Sequence, residues 1–268
     1  MTTQLQQWFQ ALNTQTMVLD QRSFVLIGIW LLTMIAFPIA YWIWGSSVIP
    51  LGITLAAIVQ SVAVVGCLAF ALGTRKALRI TLLIAILTWL AEAVGSKTGF
   101  PFGAYSYTDV LQPQLFGVPL LVPLAWFMML PPSWAIAQLI VGKHDSSQSN
   151  RLQFAAVSAL AMTAWDLFLD PQMVNWNFWV WEQPNGYFGI PFSNYLGWLL
   201  VSFLVTAIVN PPRLPVLPLI ILYGCVWFLQ SIGLAVFWGM PAPALFGSLG
   251  MATMIVWAYQ RSKGQQWT

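Results

Sequence analysis

Long apolar stretches separated by short polar segments are the dominant pattern of this chain. A membrane-spanning helix needs about 20 mostly apolar residues, and eight stretches reach or approach that length. We place them at about 24–44, 49–72, 77–95, 118–141, 152–170, 194–210, 215–237 and 242–260. The pattern therefore predicts an all-α, polytopic membrane helix bundle of about eight transmembrane helices, forming a single integral membrane domain over residues 1–268.

Composition agrees with this fold class. Only 6% of the residues are charged and 59% are hydrophobic, whereas soluble domains carry about 25% charged residues. In the N-terminal segment 1–23, Leu5, Trp8, Phe9 and Leu12 recur at helical spacing, so a short helix lying on the membrane surface is expected there. The two cysteines lie within apolar runs, which favours buried side chains over a disulfide.

Cations are distributed unevenly between the two ends of the predicted helices. With eight spans, the termini and the even-numbered connections share one side, and that side holds nine of the ten Lys and Arg residues. Only Lys97 lies on the other side. Positively charged loops stay in the cytoplasm, so both termini are expected there, with the plasma membrane as the expected location. No basic cluster indicates a nucleic-acid site.

An internal repeat involves spans three to six. FGVPLLVPLAW at 116–126 aligns with FGIPFSNYLGW at 188–198 at a constant offset of 72 residues. An aromatic-rich outer loop precedes each block, and an acidic helix end precedes each loop. The pattern predicts a two-helix repeat, spans 3–4 and 5–6, with units of about 77–141 and 152–210. A pseudo-two-fold axis along the membrane normal would bring both units around one cavity whose active site faces the outer leaflet.

Three carboxyl groups in this region are the candidate catalytic residues, namely Glu92, Asp166 and Asp170. Ionisable side chains inside a membrane are costly and usually functional. Asp166 and Asp170 are four residues apart and share a helix face. Two carboxylates so close in a poorly hydrated place cannot both ionise easily, so at least one is expected to hold a proton that it can donate. The alternative for Asp170 is a solvated position that ends the helix before Pro171.

Aromatic and polar side chains near these acids are the candidate substrate contacts. They are Tyr105, Tyr107, Trp126, Trp179, Tyr187, Asn194 and Trp198, with Lys97 and Asp109 as supporting residues. Aromatic faces stabilise cations, although an interfacial aromatic belt accounts for the same composition. No Cys/His set suits zinc and no glycine-rich nucleotide loop is present, so neither a metal nor a cofactor is expected.

Several long motifs resemble the integral-membrane carotenoid hydratase family, which includes bisanhydrobacterioruberin hydratases and γ-carotene 1′,2′-hydratases. These motifs are EAVGSKTGFPFGAYSYTD at 92–109, LFGVPLLVPLAWFMM at 115–129, DLFLDPQ at 166–172 and GYFGIPFSNYLGW at 186–198. The resemblance covers about residues 85–205. It implies cofactor-free addition of water to the terminal double bond of an acyclic carotenoid end, such as that of γ-carotene or lycopene, to give a tertiary alcohol.

Such a hydration requires protonation of a carbon atom and capture of the resulting tertiary cation by water. We expect Asp166 to be the proton donor and Glu92 or Asp170 to orient the water, with Asn194 and Tyr195 helping to hold it. The expected partners are a lipid-soluble carotenoid, water and membrane lipid, together with other enzymes of the carotenoid pathway.

Three other functions remain open at this level. A lycopene-type cyclase begins with the same protonation but closes a ring in place of capturing water. A membrane prenyltransferase would use the aspartates of DLFLD to hold magnesium, but the outer side offers one cation for a diphosphate. A transporter or channel would also contain intramembrane acids, although these acids cluster at one interface.

Overall fold

The computed structural model describes residues 20–142 and 147–262, and the regular structure there is almost entirely helical. The α-helices are α1 Gln21–Trp44, α2 Ile49–Leu72, α3 Thr74–Thr98, α4 Leu121–Val141, α5 Gln148–Asn175, α6 Phe192–Val209, α7 Val216–Ile232 and α8 Pro241–Ser262. Each overlaps one of the eight predicted spans. Residues 1–19, with most of the predicted surface segment, lie outside the described residues.

By length and composition, seven helical segments of the described chain can each cross a membrane. The first, Gln21–Leu72, consists of α1 and α2, which a short 3₁₀ turn joins at Gly45–Val48. These two helices pack as an antiparallel hairpin, since Phe37 lies against Gly52 near the turn and Leu26 lies against Gly66 further away. The protein is therefore an integral membrane bundle of α-helices, as the hydrophobic pattern predicts.

Helix α4 lies at the centre of the bundle and packs against α2, α3, α5, α7 and α8. It continues through Pro131 and Pro132. A proline has no N–H to donate to the carbonyl four residues earlier, so Pro132 leaves the Met128 carbonyl without its helical partner. The side-chain amide of Gln60 on α2 donates to that carbonyl across 3.4 Å. This contact satisfies a backbone group that lipid could not hydrate.

The two copies of the repeated motif form the same tight turn. Phe116 and Gly117 have φ values of 54° and 82°, and Phe188 and Gly189 have 50° and 86°. In both turns the residue before the phenylalanine pairs with the residue after the glycine. Each turn leads directly into a helix, α4 or α6. The left-handed conformation at each phenylalanine is uncommon for a bulky residue, so its recurrence supports the predicted repeat.

Corresponding residues of the two motif copies also touch each other. Trp126 on α4 stacks on Trp198 on α6, with ring centroids 3.9 Å apart and an interplanar angle of 10°. Further along the same two helices, Trp134 Nε1 on α4 donates to Thr206 Oγ1 on α6 across 2.7 Å. Both pairs are 72 residues apart, and equivalent residues meet in this way next to a two-fold axis. The contacts support the repeat, while the limits of its two units remain a prediction.

The two outer loops pair with each other over the ends of helices α3 to α6. Strand β1, Tyr105–Tyr107, runs antiparallel to β4, Trp179–Trp181. The strands β2, Gln114–Leu115, and β3, Val118–Pro119, form the turn before α4. Phe102 anchors the first loop between Gly95 on α3 and Gly197 on α6, because a Cβ atom at either glycine would lie 2.6 Å from its ring. The loops therefore hold the site residues that they carry against the helices.

Candidate active site

A cavity of about 100 Å³ lies next to the paired loops and is lined mainly by apolar and aromatic side chains. It brings together eight of the residues that the sequence nominated, namely Glu92, Tyr105, Tyr107, Trp126, Asp170, Trp179, Asn194 and Trp198. They come from α3, α4, α5, α6 and both loop strands. A mostly apolar pocket with a few converging polar groups is the usual form of a small-molecule site.

The Glu92 carboxyl group is held by three hydrogen-bond donors. The hydroxyl groups of Tyr105 and Tyr107 donate to Oε2 across 2.5 and 2.8 Å. The indole of Trp126 donates to Oε1 across 2.9 Å. Two donors come from β1 and one from α4, so the first loop and the central helix fix this side chain together. Three donors around one carboxyl group complement its ionised form.

The two tyrosines keep their protons and therefore remain donors. Burial, and then the nearby Glu92 charge, raises the pKa of the Tyr105 hydroxyl above its ordinary value. The same causes raise the pKa of the Tyr107 hydroxyl. Deprotonating either residue would place a second negative charge beside Glu92 in a poorly hydrated place.

Asp170 lies on α5 and faces the same cavity. Its Oδ1 accepts a hydrogen bond from the Trp179 indole across 2.7 Å, and its Oδ2 accepts one from the Asn194 amide. The same amide nitrogen donates to Asp166 Oδ2 across 3.0 Å. Asn194 therefore connects the two aspartates. Asp170 is 2% exposed, so the alternative of a solvated helix-end residue is wrong.

Asp166 lies behind Asp170 and does not line the cavity. Its side chain is fully buried, and its Oδ1 has no hydrogen-bond partner among the described residues. The sequence predicted that the two aspartates share a helix face, and the bridging amide fits that prediction. Only one of them, however, is oriented to meet a molecule in the cavity.

Indole rings form much of the cavity wall. Trp126 and Trp198 stack, and Trp165 meets the Trp198 ring edge-on at 6.0 Å between centroids. The ring centroids of Tyr105 on β1 and Trp181 on β4 lie 5.2 Å apart. Such π systems stabilise a positive charge through their faces. These rings are internal to the protein, so an interfacial aromatic belt does not account for them.

Tyr187 is a predicted substrate contact that lies outside the cavity lining. Its hydroxyl donates across 3.2 Å to the carbonyl of Leu167. Pro171 leaves that carbonyl without its helical N–H donor, so Tyr187 completes the hydrogen bonding of α5. Tyr195 also lies outside the lining, and its hydroxyl has no partner among the described residues.

The predicted supporting residues lie away from the carboxyl cluster. Lys97 is exposed, and its ammonium group lies 5.8 Å from the centroid of the Phe116 ring. Asp109 is exposed on the first outer loop. Glu92 takes its hydrogen bonds from aromatic side chains and not from Lys97.

Some cavity residues were not among those predicted. Trp165, Gln172 and Trp181 all line it and are at least 96% buried. Gln172 ends the motif DLFLDPQ, and a glutamine within an otherwise apolar helix is a signal that the sequence contained. The direction of its side chain follows from the packing of α5 against its neighbours.

Comparison with known proteins supplies the family. Residues 49–253 match the family model described as carotenoid biosynthesis protein. Over 132 residues the chain is 33% identical to the bisanhydrobacterioruberin hydratase of Haloarcula japonica. That alignment covers 49% of this chain and 44% of the relative, so the chain matches less than half of the relative's length. No solved structure matches. The matched family model spans the hairpin helix α2, the whole carboxyl cluster and most of α8, and the chain belongs to the carotenoid biosynthesis protein family.

Proposed function

We propose that this protein is a carotenoid hydratase, which adds water across the terminal carbon–carbon double bond of an acyclic carotenoid end group such as that of γ-carotene or lycopene. The observation that carries the proposal is that Glu92 and Asp170 face one aromatic cavity from opposite halves of the predicted repeat. Membership of the family supports the pathway, and the hydratase relative supports the reaction type.

Asp170 is the proton donor to the alkene in this proposal. It faces the cavity, and one Asn194 amide nitrogen contacts both Asp170 and Asp166. Two buried carboxyl groups so close together cannot both ionise easily, so the pair can hold one proton. This assignment moves the donor role from Asp166, the expectation from sequence, to its neighbour. Asp166 then acts through Asp170 as a positioning residue.

Glu92 is the base. The proton of Asp170 forms the new C–H bond at the less substituted alkene carbon, and the double bond's electron pair leaves a tertiary cation. The oxygen of water forms the C–O bond to that cation, and one proton of the water passes to Glu92. Transfer of this proton back to Asp170 restores the starting state, so the reaction consumes one water and no net proton. The indole faces stabilise the cation between the two steps.

The site would lie toward the outer leaflet of the plasma membrane, with both termini in the cytoplasm. The distribution of Lys and Arg supports this orientation. A carotenoid is about as long as the hydrocarbon core is thick. A carotenoid that spans the bilayer therefore places its end group near the interface, where water is available.

The test is expression in a host that accumulates γ-carotene or lycopene, followed by mass analysis of the pigments. A hydratase yields a pigment heavier by one water molecule, whereas a lycopene-type cyclase yields a pigment of unchanged mass. Pigments of unchanged mass and unchanged chromatographic mobility, with the protein present in the membrane, would refute both activities.

A further inference from the structure

Gln172 lines the cavity and carries an unsatisfied hydrogen-bond acceptor. It is 3% exposed, and its Oε1 has no hydrogen-bond partner among the described residues. A buried polar atom without a partner costs about 1–3 kcal/mol. Such a group calls for a ligand or water that satisfies it.

The position of Gln172 relates it directly to the proposed proton donor. It follows Asp170 by two residues on α5. At 1.5 Å of helix rise per residue, its backbone lies about 3 Å further along the axis. Two residues also correspond to about 200° around the helix axis, so the two side chains leave α5 in different directions, although both line the cavity.

A second amide comes from a different helix. Gln230 on α7 is half-buried and also lines the cavity. The lining side chains Met34 and Met173 are apolar. An amide offers both a donor and an acceptor, so each of these two amides suits a small group with hydrogen-bonding capacity of both kinds, such as water or a hydroxyl group.

The residues that the sequence nominated for holding water are less suitable. The amide nitrogen of Asn194 already bonds Asp166 and Asp170. Tyr195 does not line the cavity. Of the four side chains, Gln172 combines an unpaired acceptor with a place in the cavity wall.

We propose that Gln172 binds the attacking water molecule. The proposal rests on the hydratase function argued above and specifies where its second substrate binds. Gln172 Oε1 accepts one O–H of the water, while the other O–H is directed to Glu92. The water's oxygen lone pair is then free to form the C–O bond to the tertiary cation.

The substitution Gln172→Met separates the two steps of the reaction. Membranes containing the protein are incubated with γ-carotene in D₂O, and the hydrated product and the deuterium in recovered substrate are measured by mass spectrometry. Loss of one hydrogen bond to the water lowers hydration about tenfold. Protonation continues, and a cation that loses a proton returns to an alkene carrying deuterium. The ratio of deuterated substrate to hydrated product therefore rises.

Two further variants provide the comparison. Gln172→Glu keeps an acceptor and retains more hydration than Gln172→Met. Gln138→Met removes another buried glutamine, which accepts from the backbone of Leu214 and lies outside the cavity lining. This control changes the amount of folded protein at most, and the ratio of deuterated substrate to hydrated product stays at the wild-type value. Protein levels are measured in the same membranes.

Undiminished hydration by Gln172→Met overturns the assignment, as does a parallel loss of hydration and deuterium uptake. A defect that appears only with a hydroxylated polyene, and not with the hydrocarbon lycopene, overturns it too and assigns the site to a substrate hydroxyl. A wild-type protein that gives neither hydrated product nor deuterated substrate refutes the hydratase function itself.

Discussion

The two halves of the predicted repeat hold their acids in different ways. In the first half, Glu92 takes three hydrogen bonds, two from loop tyrosines and one from Trp126. In the second half, the corresponding tryptophan, Trp198, stacks on Trp126, and an indole from the loop and an amide from α6 hold Asp170. The backbone turn is common to both halves, whereas the polar partners differ. A duplicated scaffold can therefore present two carboxyl groups with distinct roles in one cavity.

The largest expected effect comes from removing either acid. Asp170→Asn and Glu92→Gln should each lower hydration by about 10³-fold, since general acid and general base contributions are typically 10²–10⁴-fold. The measurement is the yield of hydrated pigment per amount of membrane-inserted protein. Asp109→Asn, at an exposed loop position, is the matched control and should leave the yield unchanged. A large loss in one half of the repeat only would show that the two acids do not act together.

Asp166→Asn should have a smaller effect than Asp170→Asn. Asp166 lies outside the cavity lining and acts through the amide that it shares with Asp170. We expect a loss of about ten- to a hundredfold, because the donor remains but loses the partner that shares its proton. The comparison uses initial hydration rates in the same membranes. If Asp166→Asn is the more damaging variant, Asp166 is the donor after all.

The two stacked tryptophans offer a test of the asymmetry itself. Trp126→Phe removes the donor to Glu92 as well as part of the stack, whereas Trp198→Phe alters only ring packing, against Trp126 and Trp165. Losing one charge-assisted hydrogen bond corresponds to about 1.5–3 kcal/mol, so Trp126→Phe should reduce the hydration rate about tenfold more than Trp198→Phe. Equal losses would mean that stacking, and not the bond to Glu92, explains the role of both rings.

The smallest expected effect is that of Tyr187→Phe. It removes the donor to the Leu167 carbonyl that Pro171 leaves unpaired, and it should lower the free energy of unfolding by about 1 kcal/mol. Hydration at permissive temperature should remain close to the wild-type level, because Tyr187 does not line the cavity. The measurement pairs thermal unfolding in detergent with the hydration assay. A defect in hydration without a change in stability would contradict this prediction and indicate that Tyr187 contacts the substrate.

The sequence determined the fold class, the eight helices and most of the site. Long apolar runs specify membrane helices because lipid cannot hydrate a backbone that is not helical. The constant offset of 72 residues identified the two motif copies, and the intramembrane acids indicated the candidate catalytic residues because a charge in lipid is costly. Eight of the residues nominated as catalytic or substrate-binding meet in one cavity.

Only the tertiary structure decided which member of each group faces that cavity. Asp166 and Asp170 share a helix face, and Asn194 from α6 donates a hydrogen bond to each of them. Of the two aspartates, Asp170 lines the cavity and Asp166 does not. Tyr187 was expected in the cavity but bonds the Leu167 carbonyl, whereas Gln172 was not expected there and lines the cavity. Both outcomes depend on contacts between elements that are distant in sequence. Residue type and spacing fix what a side chain can do, whereas the packing of helices from separate parts of the chain fixes what it meets.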